Sequence, residues 1–208
     1  MPRTAAANDA LRIATREKLL EAAQRCFSRH GFAGTSVRTI AAEAGVAIGL
    51  VYAHFDSKDT LLLTVFAQGM LQVQDTFAAA LQPVPQNAPT DSPIAVLVRA
   101  AVGTVRDHLE FWQLTYALRH QPEVLSVLGP RLGAWQSEIV ETLAQIVAAD
   151  RAAAPIATST SDDRATALAL FAHIDGVCQH YAADPEHYPI DAVTDALLRQ
   201  WKAGGHTT

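Results

Sequence analysis

Side chains that can donate hydrogen bonds to nucleic-acid phosphates lie close together in one part of the sequence: Arg38, Tyr52, His54 and Lys58. Lys58 directly follows Asp56 and Ser57, either of which can cap a helix, so it falls in a first helical turn. A cation at this position opposes the helix dipole and gains little within the fold. A phosphate partner would explain this lysine, and a solvated surface lysine is the alternative.

The other polar candidates lie on two short helices before Lys58. Tyr52 and His54 present their polar ends on the side away from the apolar residues Val51 and Phe55, as phosphate donors should. A histidine packed at a helix end explains His54 nearly as well. Arg38, at the start of the preceding helix, can reach either a phosphate or a guanine edge.

The scaffold for these side chains is the segment "SVRTIAAEAGVAIGLVYAHF", residues 36–55, which has the layout of a helix-turn-helix. Ala41 is small where two helices would cross closely, and Gly45 can adopt the positive φ that a tight turn often needs. Val51 and Phe55, four residues apart, return to the core. A helical hairpin without any DNA function is the alternative for this segment taken alone.

The rest of the sequence predicts further helices and no strands. Apolar residues recur at helical spacing from Leu11 to Arg29, and either Thr35 or Ser36 can cap the next helix. Residues 83–93, "PVPQNAPTDSP", have no apolar period and are predicted to form a connecting loop. We therefore predict an all-α chain of about nine helices.

A longer stretch, "TREKLLEAAQRCFSRHGFAGTSVRTIAAEAGVAIGLVYAHFDSKDTLL", residues 15–62, resembles the N-terminal domain of the tetracycline-repressor (TetR-like) family. The resemblance implies a helix-turn-helix DNA-binding domain at residues 1–60 and a larger helical ligand-binding and dimerisation domain at residues 61–208. It also implies a homodimeric transcription regulator, usually a repressor, that leaves a near-palindromic operator when a small molecule binds. The partners are then double-stranded DNA, a second copy of the chain and an unknown effector.

Carried over position by position, the resemblance assigns contacts to the DNA backbone or base edges to Thr35, Arg38, Tyr52, His54 and Lys58. It places Ile48, Gly49 and Leu50 against the bases. On a helical wheel Ile48 shares a face with Val51 and Phe55, so spacing alone would bury it instead. Position 47 often carries a capping serine or threonine in this family, and here it is Ala47, so we expect that cap to be absent.

Aromatic and polar residues in the second part of the chain are candidates for effector binding: Trp112, Tyr116, His120, Trp135 and Phe171. An ordinary helical core is the alternative for each of them. Residues 1–60 hold eight Lys/Arg against six Asp/Glu, whereas the remainder holds eight against fifteen. This acidic surplus weakly favours a neutral or cationic effector.

By resemblance, the last two helices pair with their copies in a four-helix dimer interface. The residues assigned to it are Phe171, Asp175, Gly176, Cys178, Val193, Leu197 and Trp201. Cys26 and Cys178 lie far apart in apolar helical patterns, which favours buried reduced thiols over a disulfide. His173 and His180 stand one heptad apart, but we predict neither a metal site nor a cofactor.

Composition limits the remaining alternatives. Half of the residues are hydrophobic and 18% are charged, as in folded globular chains, and no apolar stretch reaches membrane-spanning length. Without a signal-peptide pattern we expect a cytoplasmic protein that does not contact the membrane. We find no nucleophile elbow, phosphate loop or paired carboxylates, so we expect no enzyme and no catalytic residues. The remaining alternative is a helical binding or dimerisation module that does not bind DNA sequence-specifically.

Overall fold

The computed structural model describes residues 5–80, 92–152 and 162–204, and every regular element in them is an α-helix. The helices are α1 (Ala5–Gly34), α2 (Val37–Ala44), α3 (Ile48–His54), α4 (Lys58–Ala80), α5 (Pro93–Asp107), α6 (Leu109–Leu118), α7 (Pro122–Ala152), α8 (Asp163–Ala183) and α9 (Ile190–Gly204). This confirms the all-α class and the expected number of helices for the described part of the chain. Residues 83–91 of the predicted connecting loop lie outside the described residues. Among the described helices, none combines the length and the apolar character needed to cross a membrane.

The chain packs as two compact units. The first contains residues up to Leu71 together with Leu114–Pro130, and the second contains Gln72–Gln113 and the residues from Arg131 onward. The domain boundary expected between residues 60 and 61 stays a prediction.

In the first unit α1 packs on α2, and α2 packs on α3. The fully buried side chains of these three helices include Leu19, Phe27, Ile40 and Val51. The rings of Phe27 and Phe32 lie with their centroids 5.6 Å apart, which continues the apolar core into the last residues of α1.

The helical backbone of α1 is interrupted at Gly31, which has φ 69° and ψ 174°. A residue with a β-carbon rarely adopts this conformation, so the glycine marks the end of the first helical run. The side chain of Gln121 lies against this point, because its Oε1 accepts a hydrogen bond of 3.3 Å from the backbone N–H of Phe32.

Caps and a turn fix the next two helices. Ser36 caps α2, since its Oγ accepts from the backbone N–H of Thr39 at 3.0 Å, and Ser57 caps α4 in the same way through Thr60. Gly45 ends α2 in the left-handed conformation, with φ 64° and ψ 39°. Ala47 precedes α3 and provides no side-chain cap, as expected from the sequence.

In the second unit α5 packs against α8 and α9, which also pack against each other. Ion pairs join α5 to α9 at the surface, with Arg99 3.0 Å from Asp195 and Arg106 2.6 Å from Asp191. These pairs are solvent-exposed and contribute little to stability, so the buried apolar side chains carry the packing.

Substituting Gly45 with alanine is expected to lower the free energy of unfolding by about 1–2 kcal/mol, because a β-carbon is strained at its positive φ. Gly49→Ala is the matched control: Gly49 lies within α3, and an added β-carbon there would meet no heavy atom within 4 Å. The control should gain up to about 1 kcal/mol from helix propensity. Urea unfolding of both variants measures the difference, and equal effects would contradict the special role of Gly45.

Candidate nucleic-acid interface

Helix α3 is held to the first unit by one side only. Val51 and Phe55 are buried, as their spacing predicted, and the inward face of α2 consists of Ile40, Ala41 and Ala44. The helix has seven residues, too few to be stable by itself in water, so this apolar contact fixes its position.

The opposite side of α3 exposes large side chains. Ile48 is 42% exposed, Leu50 39% and Tyr52 54%. The helical-wheel interpretation that buried Ile48 is therefore wrong, because Ile48 is the first residue of α3 and the apolar contact is made by the following turn. Its surface position agrees with the placement implied by the family resemblance.

Gly49 lies between these two exposed apolar residues. Its backbone is helical, and a β-carbon added to it would meet no other heavy atom within 4 Å. Neither a positive φ nor close packing inside the chain therefore accounts for a glycine at this position.

The polar candidates near α3 differ in exposure. Arg38 and Tyr52 are exposed, whereas His54 is half-buried beside the ring of Phe55, with the centroids 6.4 Å apart. The sequence left two positions open for His54, a phosphate contact and packing at a helix end. The structure shows His54 packed at the end of α3. The guanidinium of Arg16 lies over the Phe55 ring, 4.8 Å from its centroid.

Thr35 does not present its side chain to the surface. It is 2% exposed, and its Oγ1 lies 2.7 Å from the carbonyl oxygen of Gly31 and 3.1 Å from that of Cys26. The expected DNA contact through this side chain is therefore contradicted by its burial. The hydroxyl instead donates to carbonyl groups at and before the point where α1 is interrupted.

Lys58 also contacts the end of α1, which the sequence did not suggest. Its Nζ donates to the carbonyl oxygens of Phe32 at 2.7 Å and Thr35 at 3.0 Å, and it lies 4.2 Å from the centroid of the Phe32 ring. The expectation that this lysine gains little within the fold is wrong. An ammonium group has three N–H donors, so a phosphate contact would be additional to these two bonds.

An ion-pair cluster of α1 and α2 was missed by the sequence reasoning. Arg25 Nε donates to Glu43 at 2.8 Å, and Arg29 lies 3.5 Å from the same carboxylate. The hydrogen bond from Arg25 holds the pKa of Glu43 below its usual value. Helical spacing gives no signal for such a pair, because the partners come from different helices.

The candidates for effector binding are divided between the two units. In the first unit, the guanidinium of Arg119 lies 4.7 Å from the centroid of the Tyr116 ring and donates to His120 Nε2 at 3.2 Å. In the second unit, Trp112 is buried, with its ring centroid 5.8 Å from that of Trp135. Phe171 is half-buried on α8. An effector site built from these residues stays a prediction.

One residue assigned to the dimer interface faces the inside of its own chain. Cys178 is 4% exposed, and burial raises the pKa of its thiol to about 12. Its expected interface role is therefore corrected, and both cysteines are free and buried. The others are half-buried on α8 and α9, namely Phe171, Asp175, Gly176, Val193, Leu197 and Trp201. Leu168, which the sequence reasoning did not select, is exposed on α8.

Within the described segments, no group of three or more His, Cys, Asp or Glu side chains is arranged to hold a metal ion. His187 lies 2.9 Å from Asp184, and the ring of His180 stacks on that of Tyr188. The histidines of this region thus pair locally.

Helix α3 follows a tight turn after α2, is fixed to the core by apolar residues on one side and is exposed on the other. This arrangement is that of helix-turn-helix proteins. Residues 19–65 match the family described as bacterial regulatory proteins, tetR family. This match lies in the N-terminal part of the chain and confirms the resemblance to the TetR-like family stated from the sequence.

Individual relatives match this chain over different lengths. The chain is 31% identical over 64 residues to the HTH-type transcriptional repressor AcnR of Corynebacterium efficiens, a match that covers 31% of this chain and 34% of AcnR. It thus spans about a third of the length of the first curated relatives that it matches. The HTH-type transcriptional regulator TtgR of Pseudomonas putida is 27% identical over 177 residues, which cover 83% of this chain and 82% of TtgR. A TetR-like transcriptional regulator from Rhodococcus sp. RHA1 shares the fold, with a TM-score of 0.70, 23% identity and 100% coverage of both chains.

Replacing Thr35 with valine tests whether its hydroxyl acts inside the fold. The change keeps the shape of the side chain but leaves the carbonyl groups of Gly31 and Cys26 without their hydroxyl donor, so the free energy of unfolding should fall by about 1–3 kcal/mol. Thr142→Val is the matched control, because the Thr142 hydroxyl is exposed and bonds only within its own helix. Urea unfolding distinguishes the two variants. If Thr35→Val has unchanged stability and binds DNA more weakly, the hypothesis of a direct DNA contact through Thr35 would stand again.

Proposed function

We propose that this chain is a ligand-responsive DNA-binding transcriptional regulator, most simply a repressor that binds a near-palindromic operator as a homodimer. The observation that carries the proposal is the exposed side of α3, whose opposite side is fixed to the core by Val51 and Phe55. A short helix presented in this way fits the major groove of B-DNA, which is about 12 Å wide. We place the protein in the cytoplasm with its operator.

The polar residues around α3 would position the helix rather than read the sequence. Arg38 and Tyr52 are exposed beside the two helices and supply donors for phosphate oxygens. His54 is half-buried, so its contact would be limited to the edge of its ring. Lys58 would add a phosphate contact only through a donor that its two carbonyl bonds do not use.

Release by a small molecule is proposed from the second unit. Trp112 and Trp135 form a ring contact there, which supports a largely apolar effector site. The acidic surplus after residue 60 favours an effector that is neutral or cationic. The homodimer would use α8 and α9, and a two-fold axis between two copies of α3 matches the symmetry of a palindromic site.

The rival function is a helical binding or dimerisation module without sequence-specific DNA binding. The exposed Ile48 and Leu50 favour it, because the first turn of α3 offers no hydrogen-bonding side chain to a base. We propose no catalytic residue in either case.

Selection of random DNA duplexes with the purified protein separates these two functions. We expect enrichment of a two-fold symmetric sequence whose half-sites lie about one helical turn, roughly 10 base pairs, apart. The selected duplex and a scrambled control are then compared in a direct binding measurement. Absence of enrichment at low salt would remove the proposed function and leave the helical module.

Lys58→Met distinguishes an internal role of the lysine from a phosphate contact, since methionine keeps an unbranched apolar side chain but removes the charged donor that lies over Phe32. The loss of the bonds to Phe32 and Thr35 should lower the free energy of unfolding by about 1–2 kcal/mol. If Lys58 also binds a phosphate, the slope of log affinity against log salt should decrease in magnitude by about one unit.

The matched control for this slope is Arg131→Ala, which removes an exposed charge from the second unit. We expect its stability and its salt slope to stay as in the original chain. A Lys58→Met variant with lowered stability and an unchanged slope would show that the lysine acts only within the fold.

A further inference from the structure

The surface that α3 presents at its first turn is apolar throughout. Ala47, Ile48, Gly49 and Leu50 are all exposed, and none of their side chains can donate or accept a hydrogen bond. A base edge that faces this turn therefore meets only carbon atoms and backbone.

Base edges differ in what they offer to such a surface. In the major groove thymine presents a C5-methyl group beside its single acceptor O4, whereas adenine, guanine and cytosine present donors or acceptors without a methyl group. An apolar side chain that covers those polar atoms removes water from them without replacing its hydrogen bonds, which is unfavourable. The surface thus favours thymine in two ways, by contact with the methyl and by rejection of the other edges.

Gly49 has a role in the same surface. Because an added β-carbon would meet nothing within the chain, the glycine leaves open space on the exposed side of α3. Glycine weakens a helix by roughly 0.5–1 kcal/mol relative to alanine, so its presence here is unfavourable for the isolated fold. A partner that approaches the helix backbone closely between Ile48 and Leu50 accounts for both observations.

We propose that α3 reads its operator through thymine C5-methyl groups, which Leu50 and Ile48 contact while Gly49 lets the helix backbone approach the bases. The inference rests on the proposed function and deepens it, because it states the chemistry that each half-site must carry. The exposed cation Arg38 on the preceding helix suits the anionic backbone beside these bases. Specificity resides in the apolar turn, and the polar residues contribute to affinity for any duplex.

The test replaces each thymine of the selected duplex, one at a time, by deoxyuridine. This base keeps every hydrogen-bonding group and lacks only the methyl. We expect at least one position in each half-site at which the dissociation constant rises about fourfold, the factor for exposing one buried methyl group. Replacement at both symmetric positions should raise it by about fifteenfold. The same replacements in a scrambled duplex control for any effect of uracil on the DNA itself.

Side-chain variants then assign the contact. Leu50→Ala and Ile48→Ala remove the carbon atoms that would touch the methyl, so the responsible variant should bind the thymine and uracil duplexes equally. Leu125→Ala is the matched control, because Leu125 is an exposed leucine on α7 and should leave the full uracil effect in place. Gly49→Ala should weaken binding of the selected duplex although it stabilises the helix.

The outcomes separate the two levels of the proposal. A duplex that is bound specifically but is insensitive to every thymine-to-uracil replacement overturns methyl readout and leaves the regulator intact. An unchanged uracil effect in both Leu50→Ala and Ile48→Ala also overturns it, because the methyl is then read elsewhere. If no duplex is selected at all, the proposed function and this inference fail together.

Discussion

The first unit depends on the hydrogen bonds that Thr35 and Lys58 donate to backbone carbonyl groups around the interruption of α1. An interrupted helix leaves backbone acceptors that must find donors or water. Thr35 supplies one donor to Gly31 and Cys26, and the Lys58 ammonium supplies two to Phe32 and Thr35. These side chains stand just before α2 and at the start of α4, so the same bonds that close α1 also fix both of those helices against it. The positive φ of Gly31 is the local condition for this arrangement.

The orientation of α3 depends on the α2–α3 turn and on two buried residues of the α3 region. The left-handed Gly45 sets the direction in which the chain leaves α2, and Val51 and Phe55 then hold α3 by its inner side. Since Ala47 provides no cap, the first turn of α3 depends on the second turn for its stability. The exposed apolar residues thus lie in the turn of α3 that has no side-chain cap.

Much of this could be predicted from the sequence, because the relevant signals are local. The turn glycine, the Ser36 and Ser57 caps and the inward face of α2 each follow from side-chain chemistry within a few residues. The helical wheel wrongly predicted that Ile48 is buried, because a wheel assumes that the core covers every turn of a helix. In α3 the first buried residue is Val51. Thr35 and Lys58 were misjudged for a different reason: the carbonyls of Phe32 and Thr35 that Lys58 reaches lie 26 and 23 residues earlier in the chain. A family pattern marks such positions as important without giving the direction of the side chain.

The hydrogen bond from Phe32 to Gln121 bridges 89 residues, and it has a consequence for the order in which the chain becomes complete. A growing polypeptide contains all of α1, α2 and α3 long before Gln121 has been synthesised. Until then the Phe32 amide lacks its hydrogen bond to the Gln121 side chain, and the compact unit lacks Leu114–Pro130. The helix-turn-helix is therefore synthesised before Leu114–Pro130, and its native surroundings are complete only when that later segment has been made.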